Sequence, residues 1–500
     1  MTEPASLRVL FVTPELAPWV KSGGLGDVSA GLPAALRSLG IDVRLLVPAY
    51  PPLRAACADA KPVTDTLRLG GALAPAKLLA ARLDDAPPLF LIDCAACYER
   101  PGGAYQDPGG RDWPDSHLRF GLLSRVAALL GTVRSPLDWK PHVVHCHDWP
   151  AGLAPAYLRH AGGARSATLM TIHNVAFQGL FPLAAVTALG LPPQSFSMDG
   201  VEFHGRLSFL KAGIVYADRI STVSPTYARE IQTGELGCGL DGLLRHRSRD
   251  LVGIVNGIDD DVWNPATDAV IPQRYDRAHL QRKAANKRAL QKKLGLAPQG
   301  GIPLLGVVSR LTHQKGLDLL LEIAASVIEH PAQLAVLGSG ESGLETALRE
   351  LAARFPGRAG CVIGYDEALA HLIEAGADIF VMPSRYEPCG LNQMYSMRYG
   401  TVPVVRATGG LADTVTDCNE HTLANGSATG FAFREPAAFA LLAAVRRALK
   451  AWPDQAGWRR LQENGMARDF GWQASARRYV GLYETLAAGR AARGAPRPAG

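Results

Sequence analysis

R-V-L-F-V-T-P-E-L-A-P-W-V-K-S-G-G-L-G-D, Arg8 to Asp27, decides how the rest of the chain is read. Arg8–Thr13 is a nearly unbroken apolar run, as in a strand buried on both faces. Gly23, Gly24 and Gly26 permit a tight turn and a close approach of a ligand to the backbone. Asp27–Leu39 then follows with helical spacing, and Gly40 stands where a C-cap glycine belongs. Strand, glycine turn and helix in succession make the first half of a βαβ unit, and the helix start favours an anion. Lys21 adds a positive charge there, and G-x-x-x-x-G-K-[ST] is absent.

The same alternation continues outward. Asp42–Val47, Pro88–Ile92, His142–Cys146, Ala167–Ile172, Arg219–Val223 and Val252–Val255 read as strands, with helices at Ser116–Leu130 and Pro150–His160. A second series begins near Pro303. Its strands are Leu304–Ser309, Gln333–Leu337, Cys361–Ile363, Asp378–Met382 and Val402–Val405, and its helices are Lys315–Ile328 and Leu344–Arg354. Two such series predict an α/β chain of two doubly wound domains with parallel sheets. We set the domains at 1–253 and 254–470, with a helix over 471–487 completing the first. Trp263–Gly301 is polar and Pro-punctuated and is expected to wrap the start of the second domain. Trp472, Ala476, Tyr479, Val480 and Tyr483 form an apolar stripe that needs a partner surface. The Ala/Gly/Arg/Pro tail, 488–500, is expected to be disordered.

Composition narrows the function. The 500 residues are 47% hydrophobic and 20% charged, ordinary for a globular protein. Lys plus Arg is 52 and Asp plus Glu 46, and a net charge of +6 spread this thinly suits an anionic small molecule, not a nucleic acid. Eight cysteines are too few for a disulfide framework and suit a reducing compartment. Cys94 and Cys97 form a lone C-x-x-C, but the residues that follow, Tyr98 to Gly102, read as loop where a redox motif should open a helix, which argues against redox or zinc chemistry. Residues 1–10 show no apolar h-region and no apolar run of eighteen appears, so a cytoplasmic protein without leader or membrane partner is expected.

Ligands of doubly wound sheets bind beyond the carboxyl ends of the strands. Asp148, in P-H-V-V-H-C-H-D-W, and His173, in T-I-H-N, occupy such ends. His145 and His147 share one strand face, so the cluster reads poorly as a metal site. Arg310 and Lys315 flank a strand–helix turn and suit a phosphate. Glu387 is a carboxylate in the loop M-P-S-R-Y-E-P-C-G-L, and T-G-G-L-A-D, Thr408 to Asp413, is a further glycine turn with exposed amides. Gly338–Gly343 is G-x-G-x-x-G with Asp366 downstream, the pattern of a dinucleotide site. It lies on the second strand of its series, whereas the fingerprint belongs to the first.

Taken in order, K-S-G-G-L-G-D (Lys21–Asp27), H-C-H-D-W (His145–Trp149), T-I-H-N (Thr171–Asn174), T-V-S-P-T-Y (Thr222–Tyr227), V-N-G-I-D (Val255–Asp259), S-R-L-T-H-Q-K-G (Ser309–Gly316), S-R-Y-E-P-C-G-L (Ser384–Leu391) and T-G-G-L-A-D-T-V (Thr408–Val415) resemble the glycogen and starch synthases. The resemblance runs from about Leu7 to Leu486. It implies a GT-B fold, two Rossmann-like domains facing across a deep cleft, with the last helix crossing back to the first. It implies retaining transfer of glucose from ADP-glucose to the non-reducing-end 4-OH of an α-1,4-glucan such as glycogen, with no cofactor and no metal. In that family Lys21, Arg310 and Lys315 would hold the diphosphate, and Gly24 and Asp27 would line the glycine loop. His173, Asn256 and Glu387 would surround the glucose, Tyr98 and Asp148 would lie near the reacting centre, and Tyr365 near the adenosine. Cys389, Gly390, Leu391, Thr408, Gly409 and Gly410 would complete the substrate contacts. Two positions depart from wider patterns. Tyr395 stands where many retaining GT-B enzymes carry a second Glu, which matches the glycogen and starch synthases and argues against a sucrose-synthase-like enzyme, and Pro150 stands where many bacterial relatives are polar. The competing readings are a nucleotide-sugar epimerase or NAD-dependent enzyme, motivated by Gly338–Gly343, and a glucan-binding protein without activity.

Overall fold

The computed structural model describes residues 6–84 and 86–494, with side chains described as far as 490. The chain divides into two compact units, 1–257 with 472–500, and 258–471.

Unit 1 contains strands β1 (Arg8–Val12), β2 (Asp42–Pro48), β3 (Lys61–Pro62), β4 (Lys77–Ala81), β5 (Leu89–Asp93), β6 (Val143–His147), β7 (Ala167–Ile172), β8 (Leu180–Phe181), β9 (Glu202–Phe203), β10 (Arg206–Ser208), β11 (Arg219–Thr222) and β12 (Leu251–Gly253). Nine form one sheet in the order β12-β11-β7-β6-β1-β2-β5-β4-β3. All pairs are parallel except β5–β4 and β4–β3. Residues 9–12 of β1 are fully buried, as a central strand covered on both faces requires. Strands β8, β9 and β10 make a separate antiparallel sheet.

Helix Gly24–Ser38 follows β1, and its buried Leu25, Val28, Leu32 and Leu36 repeat at three- and four-residue spacing. It begins three residues earlier than the expected Asp27, because the apolar stripe already starts at Leu25. Of the stretch after Cys97 expected as loop, Tyr98 closes a single helical turn, Ala95–Tyr98, and residues 99–102 lie outside helix and strand. The helix expected over 150–160 is a short 3-10 turn, Trp149–Ala151, followed by Leu153–His160. The last helix, Trp472–Gly494, packs on Gly24–Ser38 and buries Trp472, Ala476, Tyr479 and Tyr483 in unit 1. Residues 488–494 are therefore helical and not a disordered tail, because Ala and Arg favour helix and the next proline is Pro496. Residues 495–500 of that expectation lie outside the described residues.

Unit 2 contains β13 (Leu304–Leu311), β14 (Gln333–Gly340), β15 (Ala359–Ile363), β16 (Ile379–Met382), β17 (Val402–Arg406) and β18 (Phe431–Phe433). The sheet is wholly parallel, in the order β15-β14-β13-β16-β17-β18. In chain order this is 3-2-1-4-5-6, the doubly wound order, with its switch point between β13 and β16. Successive residues of β14 serve opposite faces. Leu334 and Val336 join a core with helices Leu317–Glu329 and Ala438–Ala451, while Ala335 and Leu337 join one with Lys283–Lys293 and Glu367–Gly376. Within the polar segment 263–301, helix Lys283–Lys293 buries Lys283, whose Nζ donates to Glu374 O, Ala375 O and Thr401 Oγ1 at 3.0, 2.8 and 2.6 Å. No described helix is long and apolar enough to cross a membrane.

Candidate active site

In unit 2 the candidate residues gather at the switch point. β13 runs on to Leu311, so Arg310 lies in the strand's last turn of pairing, opposite Ser339. It is exposed, and its guanidinium has no partner among the described residues. The chain then makes a 3-10 turn, His313–Lys315, and Gly316 takes φ 67°. A side chain there would collide with the Pro383 carbonyl, so only glycine lets this turn close on the loop after β16. That closure brings Lys315 Nζ to 2.5 Å from Glu387 Oε2. Ser384 Oγ donates to the same oxygen at 3.0 Å. Glu387 is 5% exposed, a buried carboxylate matched by one ammonium and one hydroxyl.

The loop is fixed from both sides. Arg385 binds Asp318 in bidentate fashion at 2.7 and 2.6 Å and donates to His313 O at 2.8 Å. Asp318 is held below the usual carboxylate range, first by that hydrogen bond. Gly410 N donates to Glu387 O at 3.1 Å, which ties the glycine turn of Thr408, Gly409 and Gly410 to the Glu387 loop. Gln393 Nε2 donates to the carbonyls of Cys389 and Gly390, and Leu391 caps the helix Asn392–Arg398. The structure thus brings together Arg310, Lys315, Glu387, Cys389, Gly390, Leu391 and residues 408–410. Tyr365 is placed apart, at the end of β15, two strands from β13 and 78% exposed, with its hydroxyl donating to Glu367 Oε2 at 3.0 Å.

The G-x-G-x-x-G run has another purpose. Gly338 and Gly340 lie within β14, where side chains would strike the Ser309 and Leu311 carbonyls of β13. Asp366 caps helix Glu367–Gly376, accepting from Leu369 N. These residues are accounted for by strand packing and capping.

In unit 1 the corresponding switch point lies between β1 and β6. Lys21 Nζ pairs with Asp27 Oδ1 at 2.8 Å across the glycine loop, and Gly24 is exposed at the helix start. Sequence reading missed what holds that loop. Glu15, 3% exposed, accepts from Ser22 N and Tyr105 Oη, each at 2.7 Å, and burial raises its pKa. Only its place directly after the strand could have pointed to it.

Asp148 follows β6 in the left-handed region, φ 57°, and is 9% exposed. Burial pushes its carboxyl up to about 8, against the pull of the Asn174 and His173 amides. Its Oδ1 has no partner among the described residues. His173 follows β7, and its Nε2 lies 2.9 Å from His147 Nδ1. His145 is turned elsewhere, with Nδ1 2.8 Å from Tyr483 Oη and Nε2 2.6 Å from Thr171 Oγ1. Burial lowers the pKa of all three imidazoles, that of His173 to about 3. Asn256, beyond the edge strand β12, is 8% exposed. Tyr98 is 1% exposed and donates its hydroxyl to Arg119 O at 2.7 Å, so the structure does not bring it to the surface of this site.

Residues 8–246 match the family model for the starch synthase catalytic domain, and residues 291–465 that for glycosyl transferases group 1. The chain is 56% identical to a glycogen synthase of Dechloromonas aromatica, over 97% of this chain and 100% of that protein. It is 55% identical to a glycogen synthase of Nitrosomonas eutropha, over 96% of each. Among solved structures, the catalytic domain of starch synthase IV from Arabidopsis thaliana, bound to ADP and acarbose, matches with a TM-score of 0.84 and 32% identity, over 97% of this chain and 100% of that one. A sucrose-phosphate synthase from Thermosynechococcus elongatus, 18% identical with a TM-score of 0.57 over 97% of this chain and 100% of that one, shares the fold.

Proposed function

The chain belongs to the glycogen and starch synthase family of glycosyltransferases, and from that premise we propose that it transfers glucose from ADP-glucose to the non-reducing-end 4-OH of an α-1,4-glucan, retaining the anomeric configuration. The observation that carries the reading is the Lys315–Glu387 pair at the switch point of unit 2. A doubly wound sheet takes its ligand there, and a sugar diphosphate needs both charges. The cation meets the leaving diphosphate, and the carboxylate meets the positive charge that grows on the sugar.

In this reading Lys21, Arg310 and Lys315 bind the diphosphate. His173, Asn256 and Glu387 contact the transferred glucose. The bond from the anomeric carbon to the diphosphate oxygen breaks as the acceptor 4-oxygen bonds to the same carbon from the same face. The acceptor proton leaves with the diphosphate. Glu387 forms no covalent bond and stabilises the sugar cation through space. The cations carry the charge compensation, so no metal takes part.

The test is transfer of labelled glucose to glycogen from ADP-, UDP- and GDP-glucose. ADP-glucose should be used best, and the anomeric carbon signal of the product should show α linkages only. β linkages, or no transfer from any of the three donors, would refute the proposal.

A further inference from the structure

His147 plays no part in the reading above, yet His173 rests on it. Its ring is fully buried between Phe11 of β1, stacked at 3.9 Å, and His145, also at 3.9 Å. The two nitrogens meet different surroundings. Nδ1 lies 2.9 Å from His173 Nε2, while Nε2 is buried without a partner among the described residues. Burial keeps both rings neutral at neutral pH, so one hydrogen is shared along the contact.

Two arrangements satisfy that count. In the first, His147 Nδ1–H donates to His173 Nε2, and only a lone pair is left at His147 Nε2. In the second, His173 Nε2–H donates to His147 Nδ1. His147 must then carry its own hydrogen on Nε2, as an orphaned buried N–H. Orphaned buried donors are rarer in native structures than under-satisfied acceptors, and leaving one costs its full desolvation. The first arrangement stands, and it puts the single hydrogen of His173 on Nδ1. That atom has no partner among the described residues, and the residue is only half-buried.

We infer that His147 is a positioning residue that locks His173 as the Nδ1–H tautomer, so that His173 offers its ligand a hydrogen-bond donor and never an acceptor. Taken with the proposed function, on which this consequence rests, His173 recognises a lone pair on a sugar oxygen. It cannot take a proton from a hydroxyl at Nδ1, and its Nε2 is occupied by His147. It is thereby excluded as the base of the reaction and serves recognition alone.

The test reads the tautomer directly, on the whole chain labelled with ¹⁵N-histidine and without substrate. Long-range proton–nitrogen correlations report which ring nitrogen carries the hydrogen, and His173→Gln assigns the signal. His147→Asn places an N–H where His147 Nδ1–H was, whereas His147→Met, whose thioether has no hydrogen to give, can only accept. Wild type and His147→Asn should show His173 hydrogenated on Nδ1, and His147→Met should show hydrogen on Nε2. His147→Met should lose about tenfold in kcat, the worth of one hydrogen bond, with His147→Asn within about threefold of wild type. Hydrogen on Nε2 in the wild type would overturn the inference. So would equal losses in both variants with the tautomer unchanged, because His147 would then act only as packing. If His147→Met does not fold, the wild-type and His147→Asn spectra decide. A wild type with the assigned tautomer but no glucosyl transfer would refute the proposed function and leave the lock standing.

Discussion

Lys315→Ala and Arg310→Ala remove one positive charge each from the same end of β13, but they leave different things behind. Lys315 Nζ is 2.5 Å from Glu387 Oε2, with the two side chains 18% and 7% exposed. Its removal leaves a buried carboxylate with only the Ser384 hydroxyl. Removing one partner of a buried pair typically costs about 3–5 kcal/mol. For a unit of about 200 residues each kcal/mol shifts the midpoint by about 2–4 °C, so the melt of unit 2 should fall by roughly 6–20 °C. Arg310 is exposed and unpaired among the described residues. Its loss should move the melt by less than about 2 °C, as for other surface changes.

The kinetic effects should be alike even though the thermal ones differ. A cation beside the leaving diphosphate acts more on the transition state than on bound donor. Each alanine variant should therefore lower kcat by about 10²–10³, with a smaller rise in KM for ADP-glucose. The double variant should lose less than the product, since both residues serve one diphosphate. Arg310→Lys should recover part of the loss, because a point charge does not replace the planar fork. Calorimetry and initial rates at saturating glycogen check the two axes separately. A Lys315→Ala protein that melts like wild type would refute the burial argument for the pair. A variant with wild-type kcat and only a raised KM would refute the mechanistic assignment.

Activity should survive EDTA, because protein cations neutralise the diphosphate; a loss of more than about tenfold, restored by Mg²⁺, would contradict this. Asp148 has a folded pKa of about 8, above that of an unfolded carboxyl, so the native state keeps a proton that the unfolded chain releases. Its contribution to stability is therefore lost as pH rises from about 4 to about 8, by up to about 1.4 kcal/mol per pH unit, and Asp148→Asn should flatten that decline. Parallel melting curves of the two proteins between pH 5 and 8 would rule this out. Glu15→Ala frees the Ser22 amide and should lower kcat/KM by about tenfold, whereas Glu15→Gln, which still offers an acceptor, should stay near wild type. Identical rates for the two variants would show that the loop does not depend on this carboxylate.

The fold was legible where burial is continuous. β1, β6, β7, β13 and β16 are central parallel strands, and their apolar runs stand out within a residue or two of their observed ends. The elements that escaped notice lack such a run. Strands β8, β9 and β10 are two or three residues long, too short to show a period of two. Helix Ala438–Ala451 buries Leu441, Ala444, Val445 and Ala448, and half of that stripe is alanine, which contrasts weakly with the exposed face. Helix Lys283–Lys293 lies in the segment read only as polar and wrapping, yet Lys283, Asn286, Lys287 and Gln291 are buried beside Leu290. Their donors are taken up by carbonyls and side chains of other segments, such as Glu374 O, Gln273 O and Asp378 Oδ2, which no local pattern reveals.

The site was legible as a set of residues and not as a set of pairings. A residue just after a central strand can be placed at the ligand end of a doubly wound sheet from the sequence, and this is why Glu387, Lys315, Asp148 and His173 could be named. Whom each one touches depends on two strand ends meeting, and those ends are 72 residues apart for Lys315 with Glu387 and 26 for His147 with His173. Alternation alone puts His145 and His147 on one face of β6, but it cannot say that one ring turns to Tyr483 and Thr171 while the other turns to His173. That division gives two residues of the same type, two positions apart, different work. The hydrogen bonds of His145 tie β6 to the last helix and to β7, so they hold the sheet. The one hydrogen bond of His147 points at the end of β7, so whatever His147 fixes is felt at His173.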